Sequence, residues 1–326
     1  MLAEGFDLHR PSSVAEALEF AGRFPGEFRY LAGGTDVLPG LFHGLGATRH
    51  LISLQDIAEL RAFVPEEGRI GAMVPLGTLA ESPELRARFP AVAEAARQAA
   101  SPNLRNSSTL GGNLLLDTRC TYYNQSAFWR EALGYCLKNG GEECRVVQNR
   151  ERCYAAYCGD LAPSLLVHDA RIEVAGPKGR HLRPLKDLYD PQADGRTPFR
   201  LGPGEILLSV SLPHEKVRST YLKLRARSAP DFPEASVAIA LALEGKKLQE
   251  LRVAASGVAT VPLLFEDLTL PLIGHAMTEE VARDLAEKVS RRLHPVTNTA
   301  FPPDYRKHVF RHFLMSGIHE LQSGTH

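Results

Sequence analysis

The pattern of apolar and polar positions predicts strands and helices in mixed order up to about residue 215. A capping box, Ser13-Val-Ala-Glu16, opens the first predicted helix, at residues 13–24. Short apolar or alternating runs predict strands at residues 28–31, 51–53, 69–73, 170–175 and 206–212. Further helices are predicted at residues 91–100 and 161–167.

Beyond residue 215 the pattern changes to strands followed by helices. Three strands are predicted at residues 219–226, 235–243 and 248–256, with a hairpin turn at Gly245 between the last two. Helices are predicted at residues 278–293 and 303–321. We therefore predict an α+β chain, with one domain at residues 1–215 and a C-terminal domain at 216–326 that combines a three-stranded antiparallel sheet with helices.

Charge and composition exclude several classes of function. The chain has 38 acidic and 38 basic residues, so it lacks the bulk charge that holds nucleic acid or an anionic membrane. Its apolar runs fall far short of the ~20 residues of a membrane span. The N-terminal sequence MLAEGFDLHRP lacks the apolar core of a signal peptide. We expect a cytoplasmic protein that binds neither nucleic acid nor a membrane.

Two glycine pairs stand at predicted strand or helix ends, Gly33-Gly34 and Gly111-Gly112. Glycine lets the backbone approach a phosphate and direct successive N–H groups at it, and Thr35 and Asn113 add a hydroxyl and an amide. Two such loops could hold the two phosphates of a dinucleotide. A Gly-Gly pair is more often a plain turn, however, and the chain has neither a G-x-G-x-x-G nor a P-loop motif.

All five cysteines lie between residues 120 and 158, with the spacing C-x15-C-x7-C-x8-C-x4-C. Clustered thiols in a cytosolic protein favour a metal over disulfides. The spacing matches no common zinc or ferredoxin pattern, so a structural zinc, an iron–sulfur cluster and a set of buried small side chains all stay open. The surrounding segment shows little periodicity, and bound metal would supply folding energy that it lacks.

Several segments resemble one known family. FRYLAGGTDVLP at residues 28–39 and LRNSSTLGGNLLLD at 104–117 are similar to the two flavin-binding loops of the FAD subunits of the xanthine dehydrogenase and carbon monoxide dehydrogenase family. Residues 170–174, 204–213 and 221–227 resemble further landmarks in the expected order. The resemblance implies the two-subdomain FAD-binding fold of molybdenum hydroxylase flavoproteins, with a subdomain boundary near residues 55–60.

The cysteine-bearing segment at residues 118–157 interrupts this likeness. The continuation of the second loop, residues 159–163, comes only after it. An insertion with four cysteines at this point resembles the flavin and iron–sulfur subunits of 4-hydroxybenzoyl-CoA reductases, and it implies a [4Fe–4S] cluster. The implied ligands are Cys120, Cys136, Cys144 and Cys153. Cys158 adjoins the framework that resumes at Gly159 and is the odd thiol, with a smaller chance of replacing Cys153.

The resemblance also implies roles in binding FAD. The first loop would wrap the pyrophosphate through backbone N–H groups and the Thr35 hydroxyl, and the second would close over the same region. Asp160 would bind a ribose or ribityl hydroxyl, Leu207 would pack on the flavin, and Lys223 would approach the isoalloxazine ring; without the family, Lys223 would be interpreted as a solvated strand lysine. The loop residues are Tyr30, Leu31, Ala32, Gly33, Gly34, Thr35, Asp36 and Val37, then Thr109, Leu110, Gly111, Gly112 and Asn113.

These features predict an electron-transfer subunit of a molybdenum-containing 4-hydroxybenzoyl-CoA reductase. Its implied partners are a molybdopterin-binding large subunit, a small subunit with two [2Fe–2S] clusters, and a ferredoxin as electron donor. The first alternative is the FAD subunit of another molybdenum hydroxylase, acting on CO, an aromatic compound or an N-heterocycle, with a structural metal or nothing in the insertion. A non-redox module that binds zinc and a stand-alone flavin reductase are further alternatives.

Overall fold

The computed structural model describes residues 5–46, 48–213, 217–228 and 230–324. The first four residues of the N-terminal sequence and the predicted domain boundary near residue 215 lie outside these ranges. The strands are β1 Asp7–His9, β2 Phe28–Leu31, β3 His50–Ser53, β4 Phe63–Val64, β5 Arg69–Gly71, β6 Arg171–Gly176, β7 Gly179–Pro184, β8 Ile206–Ser211, β9 Arg218–Leu224, β10 Ala235–Glu244, β11 Lys247–Ser256 and β12 Leu263–Leu264. The helices are α1 Val14–Arg23, α2 Val37–Phe42, α3 Leu76–Glu81, α4 Pro83–Arg88, α5 Pro90–Gln98, α6 Pro102–Arg105, α7 Leu110–Leu114, α8 Ala127–Ala132, α9 Leu161–Leu166, α10 Glu266–Thr269, α11 Glu279–Arg292 and α12 Pro303–Ser323.

The N-terminal part contains a small parallel sheet with the order β1-β3-β2. Helix α1 begins at the predicted cap, where the Ser13 hydroxyl accepts a hydrogen bond from the Glu16 N–H at 3.2 Å. The Glu16 carboxylate reaches back to the N–H of Ser12 at 2.7 Å, one residue before the position that the motif predicts. Strand β2 ends at Leu31, so the sheet delivers the first glycine loop at its edge.

A five-stranded antiparallel sheet with the order β4-β5-β8-β6-β7 follows in the chain. Sequence patterning predicted β5, β6 and β8 but missed β7. The alternation of apolar residues fails in β7, since its first four residues are exposed. Strand β8 carries Leu207 into the interior, where it is 3% exposed.

The C-terminal part is a four-stranded antiparallel sheet, β12-β11-β10-β9, packed against α11 and α12. Three of these strands match the predicted ones. The fourth, β12, corrects the predicted three-stranded sheet; it could not be predicted because two residues are too few to show an alternation of apolar and polar positions. In β10, Val237 and Ile239 pack toward α11 and α12, whereas Ala238 and Ala240 face the core that includes α5 and α9. Burial on both faces explains the uninterrupted apolar run in this strand.

Candidate functional site

The two glycine loops lie against each other. A Cβ added to Gly33 would overlap the carbonyl oxygen of Ser107, so only glycine allows this approach. The hydroxyls of Thr35 and Ser108 are 3.1 Å apart across the same contact. Gly34 has a φ of +73°, a left-handed backbone conformation that side chains other than glycine rarely adopt. The pairing of the loops, rather than either loop alone, therefore forms one wall of a cleft.

The second loop is the first turn of α7. The Thr109 hydroxyl caps this helix by accepting a hydrogen bond from the Gly112 N–H at 3.1 Å. Gly111 packs on Ala72 of the five-stranded sheet region, where an added Cβ would lie 2.9 Å from the Ala72 Cβ. The Asn113 Oδ1 accepts from the Leu161 N–H at 2.9 Å, which ties the loop to the start of α9.

A cleft opens between these loops, strand β8 and the segment that follows β9. Twelve of the residues predicted to bind the cofactor line it: Tyr30, Ala32, Gly34, Thr35, Asp36, Val37, Thr109, Gly111, Gly112, Asn113, Asp160 and Leu207. The other four predicted residues do not line it: Leu31, Gly33, Leu110 and Lys223. Their roles toward a cofactor stay predictions. Sequence reasoning assigned no binding role to Met73, Glu205 and Phe232, which also line the cleft. Met73 and Glu205 lie in segments that it recognised, a predicted strand and a family landmark, whereas Phe232 lies in none.

Behind the cleft, Asp160 is the centre of a buried polar network. The Lys223 ammonium lies 2.8 Å from the Asp160 Oδ1, and the Tyr221 hydroxyl donates to the same oxygen at 2.7 Å. Lys223 also donates to the carbonyl of Gln98 at 3.1 Å. Its side chain is 0% exposed, so the interpretation as a solvated strand lysine is wrong. Burial raises the pKa of Asp160, and the charge of Lys223 opposes that rise.

The cysteine-bearing segment folds over the far side of the first loop. It begins and ends at an antiparallel bridge, in which the N–H of Arg119 donates to the Ala156 carbonyl and that of Ala156 to the Arg119 carbonyl, both at 2.7 Å. Between these residues it contains α8, one 3-10 turn and irregular backbone. The Arg130 guanidinium of α8 donates to the carbonyl of His43 at 2.7 Å, which docks the segment on the end of α2.

Four cysteine side chains border one small pocket within this segment: Cys120, Cys136, Cys144 and Cys153. All four are buried, and Leu45, just after α2, packs in the same apolar group as three of them. Cys158 lies apart, with Leu116 and Ala156. No cysteine forms a disulfide, and all five fall within the described residues.

The donor set around this pocket consists of four thiols, a type of ligand that zinc and iron–sulfur clusters share. Across the described ranges, no group of three or more His, Cys, Asp or Glu side chains is arranged to hold one metal ion. The open space is about 10 Å³, room for about one water, so the surrounding loops must move outward to admit a cluster core. Burial raises the pKa of Cys120 to about 11, and a bound cation would have to offset that rise, because thiolates are the ligating form.

A search of the helices in the described part of the chain finds none with the length and apolarity needed to span a membrane.

Comparisons with known proteins identify both halves of the chain. A family profile for the FAD binding domain in molybdopterin dehydrogenase matches residues 4–215, and one for the CO dehydrogenase flavoprotein C-terminal domain matches residues 220–321. The chain is 31% identical to the aldehyde oxidoreductase FAD-binding subunit PaoB of Escherichia coli K12, over 91% of this chain and 93% of that protein. It is 27% identical to the carbon monoxide dehydrogenase medium chain of Afipia carboxidovorans, over 94% and 93% of the two chains.

Solved structures confirm the predicted fold class. A chain from the Hydrogenophaga pseudoflava carbon monoxide dehydrogenase that lacks the Mo-pyranopterin moiety superposes with a TM-score of 0.80, covering 99% of each chain at 24% identity. A chain of quinoline 2-oxidoreductase from Pseudomonas putida 86 gives a TM-score of 0.77 over the same shares at 19% identity. At these identities the likeness supports the fold alone.

Proposed function

This chain belongs to the FAD-binding subunit family of the molybdenum hydroxylases, and we propose that it carries electrons between FAD and a [4Fe–4S] cluster within such an enzyme. FAD, when bound, supplies a carrier that accepts electrons in pairs or singly. The observation that supports the second centre is the convergence of four buried thiols, from separate parts of the inserted segment, on one pocket.

The residues of the cleft account for how this chain would hold FAD. The paired loops present backbone and the hydroxyls of Thr35 and Ser108 on one wall, which suits a pyrophosphate. Asp160 offers a carboxylate to a hydroxyl of the ribose or ribityl part, and Lys223 and Tyr221 fix its position from behind. Leu207 and Met73 supply apolar surface for the ring system and exclude water from it.

The short helix α2 brings the two proposed centres close together. The first flavin loop runs into its start at Val37, and Leu45, three residues after its end at Phe42, packs beside the cysteines. Six helical residues span only about 9 Å. This short connection along the chain supports electron transfer between the two proposed centres.

The partners and substrate extend this proposal. We propose a large subunit that binds molybdopterin and a small subunit with two [2Fe–2S] clusters, because the relative from Afipia is a medium chain of a larger enzyme. A one-electron carrier such as a ferredoxin would exchange electrons at the cluster. The charge balance and the five free thiols support a cytoplasmic site of action.

For the substrate, the comparisons favour a general molybdenum hydroxylase over the reductase predicted from the sequence. The relative at 31% identity is named for aldehyde oxidation, so an aldehyde is our first candidate. Reductive dehydroxylation of 4-hydroxybenzoyl-CoA to benzoyl-CoA is the second, supported by the four-cysteine insertion. Assaying the purified assembly with aldehydes and an electron acceptor, and with 4-hydroxybenzoyl-CoA and reduced ferredoxin, separates the two.

The cluster is tested by replacing one of the four converging thiols. We expect Cys136→Ser to remove about four iron atoms per chain, the content of one [4Fe–4S] cluster, while the FAD content stays unchanged. Cys158→Ala is the matched control, because Cys158 is buried but lies outside the pocket. The measurements are iron, acid-labile sulfide and flavin per chain, together with low-temperature electron paramagnetic resonance of the reduced protein.

Equal iron in the wild type and Cys136→Ser would contradict the ligand assignment. Stoichiometric zinc with no iron in the wild type would refute the cluster and favour the alternative of a structural metal beside the flavin.

A further inference from the structure

Arg119 connects the cysteine-bearing segment to the flavin cleft. Its backbone forms the bridge with Ala156 that closes the base of the segment, and the next residue is Cys120. Its side chain forms an ion pair with Asp36 of the first glycine loop. The inserted segment therefore contributes a cation that pairs with a carboxylate of the cleft wall, although Arg119 itself does not line the cleft.

The surroundings of this guanidinium hold it in a defined position. Its Cζ lies 4.5 Å from the centroid of the Phe232 ring, and both Phe232 and Asp36 line the cleft. The Arg119 Nε is buried and has no hydrogen-bond partner within the part of the chain that the structure describes. A buried N–H donor without an acceptor costs free energy, so the ion pair with Asp36 and the contact with the Phe232 ring must hold the guanidinium in place against that cost.

The charge of Asp36 explains why a cation is needed here. Asp36 is the residue next to Thr35, on the wall suited to the pyrophosphate, and its carboxylate would repel that dianion. The Arg119 guanidinium pairs with this carboxylate and cancels its charge from behind the cleft wall.

We propose that Arg119 is a flavin-positioning residue supplied by the cysteine-bearing segment, which holds and neutralises Asp36 so that this carboxylate does not repel the FAD pyrophosphate. The inference rests on the FAD site of the proposed function but not on the cluster. The inserted segment is then part of the flavin site as well as the carrier of the four thiols.

The test measures FAD affinity in the whole chain, stripped of flavin and titrated by quenching of flavin fluorescence. We expect Arg119→Gln to raise the Kd by about tenfold, the factor that corresponds to 1.4 kcal/mol, with the iron content unchanged. Arg150→Gln is the matched control, because Arg150 is an exposed arginine of the same segment, whereas the partner of Asp36 is Arg119. Its Kd should equal that of the wild type.

A second substitution separates electrostatics from folding. Adding Asp36→Asn to Arg119→Gln removes the uncompensated carboxylate, so it should recover most of the lost affinity, and the loss in Arg119→Gln alone should weaken with added salt. An unchanged Kd in Arg119→Gln overturns the proposal. The proposal is also overturned if the double variant recovers no affinity, or if Arg119→Gln loses iron and flavin together. Either result indicates that Arg119 has a purely structural role. Absence of iron from the wild type would refute the cluster and leave this inference standing.

Discussion

Replacing Lys223 by methionine tests whether the buried network behind the cleft depends on charge. Lys223→Met keeps the length of the side chain but leaves the Asp160 carboxylate, 5% exposed, without its cation. Breaking a buried pair by removing one partner typically costs about 3–5 kcal/mol. Because the Tyr221 hydroxyl still donates to the Asp160 Oδ1 at 2.7 Å, we expect a loss near the lower end, about 3 kcal/mol.

The assay is equilibrium unfolding in urea, followed by circular dichroism at a fixed FAD concentration, since FAD binding adds to stability by mass action. The control is Lys288→Met, whose pair with Asp284 lies on an exposed helix face, with both side chains more than half exposed. Such a pair contributes about 0.3–0.5 kcal/mol. The double variant Lys223→Met/Asp160→Asn contains no unpaired buried charge and should recover most of the loss.

The pH dependence gives an independent check on the same residue. Burial raises the pKa of Asp160 and Lys223 lowers it, so removing Lys223 raises the pKa further. A carboxyl whose pKa is higher in the folded state binds a proton more readily there than in the unfolded state. Low pH therefore favours the folded state, and this stabilisation is lost as the pH rises through the raised pKa. The gap in unfolding free energy between Lys223→Met and the wild type should therefore narrow as the pH falls below neutral. A difference in unfolding free energy that stays constant or widens as the pH falls would refute a charge-based role for Lys223. A difference no larger than that for Lys288→Met would refute it as well.

Two further predictions concern backbone and caps. Gly33→Ala places a Cβ against the Ser107 carbonyl oxygen and should separate the two loops, so purified protein should carry less FAD than the wild type; Gly22→Ala, where a Cβ meets no other atom within 4 Å, should retain it. Ser13→Ala removes the cap of α1 and should lower the unfolding free energy by about 1 kcal/mol in urea titrations. An unchanged value would show that the contact from Glu16 to Ser12 suffices to hold the helix start.

The sequence predicts those parts of the fold whose physical causes are local. The cap at Ser13, the strand at 28–31 and the apolar run of β10 each depend on neighbouring residues, and each is confirmed. Strand β7 could not be found, because its first four residues are exposed and pair through their backbones, so their side chains show no alternation of buried and exposed positions.

The environment of the candidate site could be predicted only in part. The glycine pairs indicate close backbone approach, but no local feature reveals that Gly33 meets Ser107, far along the chain. Lys223 shows the same limit, since its burial depends on Asp160, which a single sequence does not place beside it. The clustering of the cysteines in sequence predicted a shared role, whereas their convergence on one pocket depends on the fold of the whole segment.

The base of the inserted segment explains how the flavin site tolerates it. Because Arg119 and Ala156 pair with each other, the segment leaves and rejoins the framework at adjacent points. The next residue, Tyr157, donates its hydroxyl hydrogen bond toward the carbonyls of Asn113 and Leu114, at 3.1 and 3.0 Å, in the helix of the second loop. The backbone that leads to Asp160 therefore starts from a fixed position, whatever the length of the inserted segment between Arg119 and Ala156. An insertion at this bridge therefore places the four converging cysteines beside the first loop, while both walls of the flavin cleft stay connected to each other.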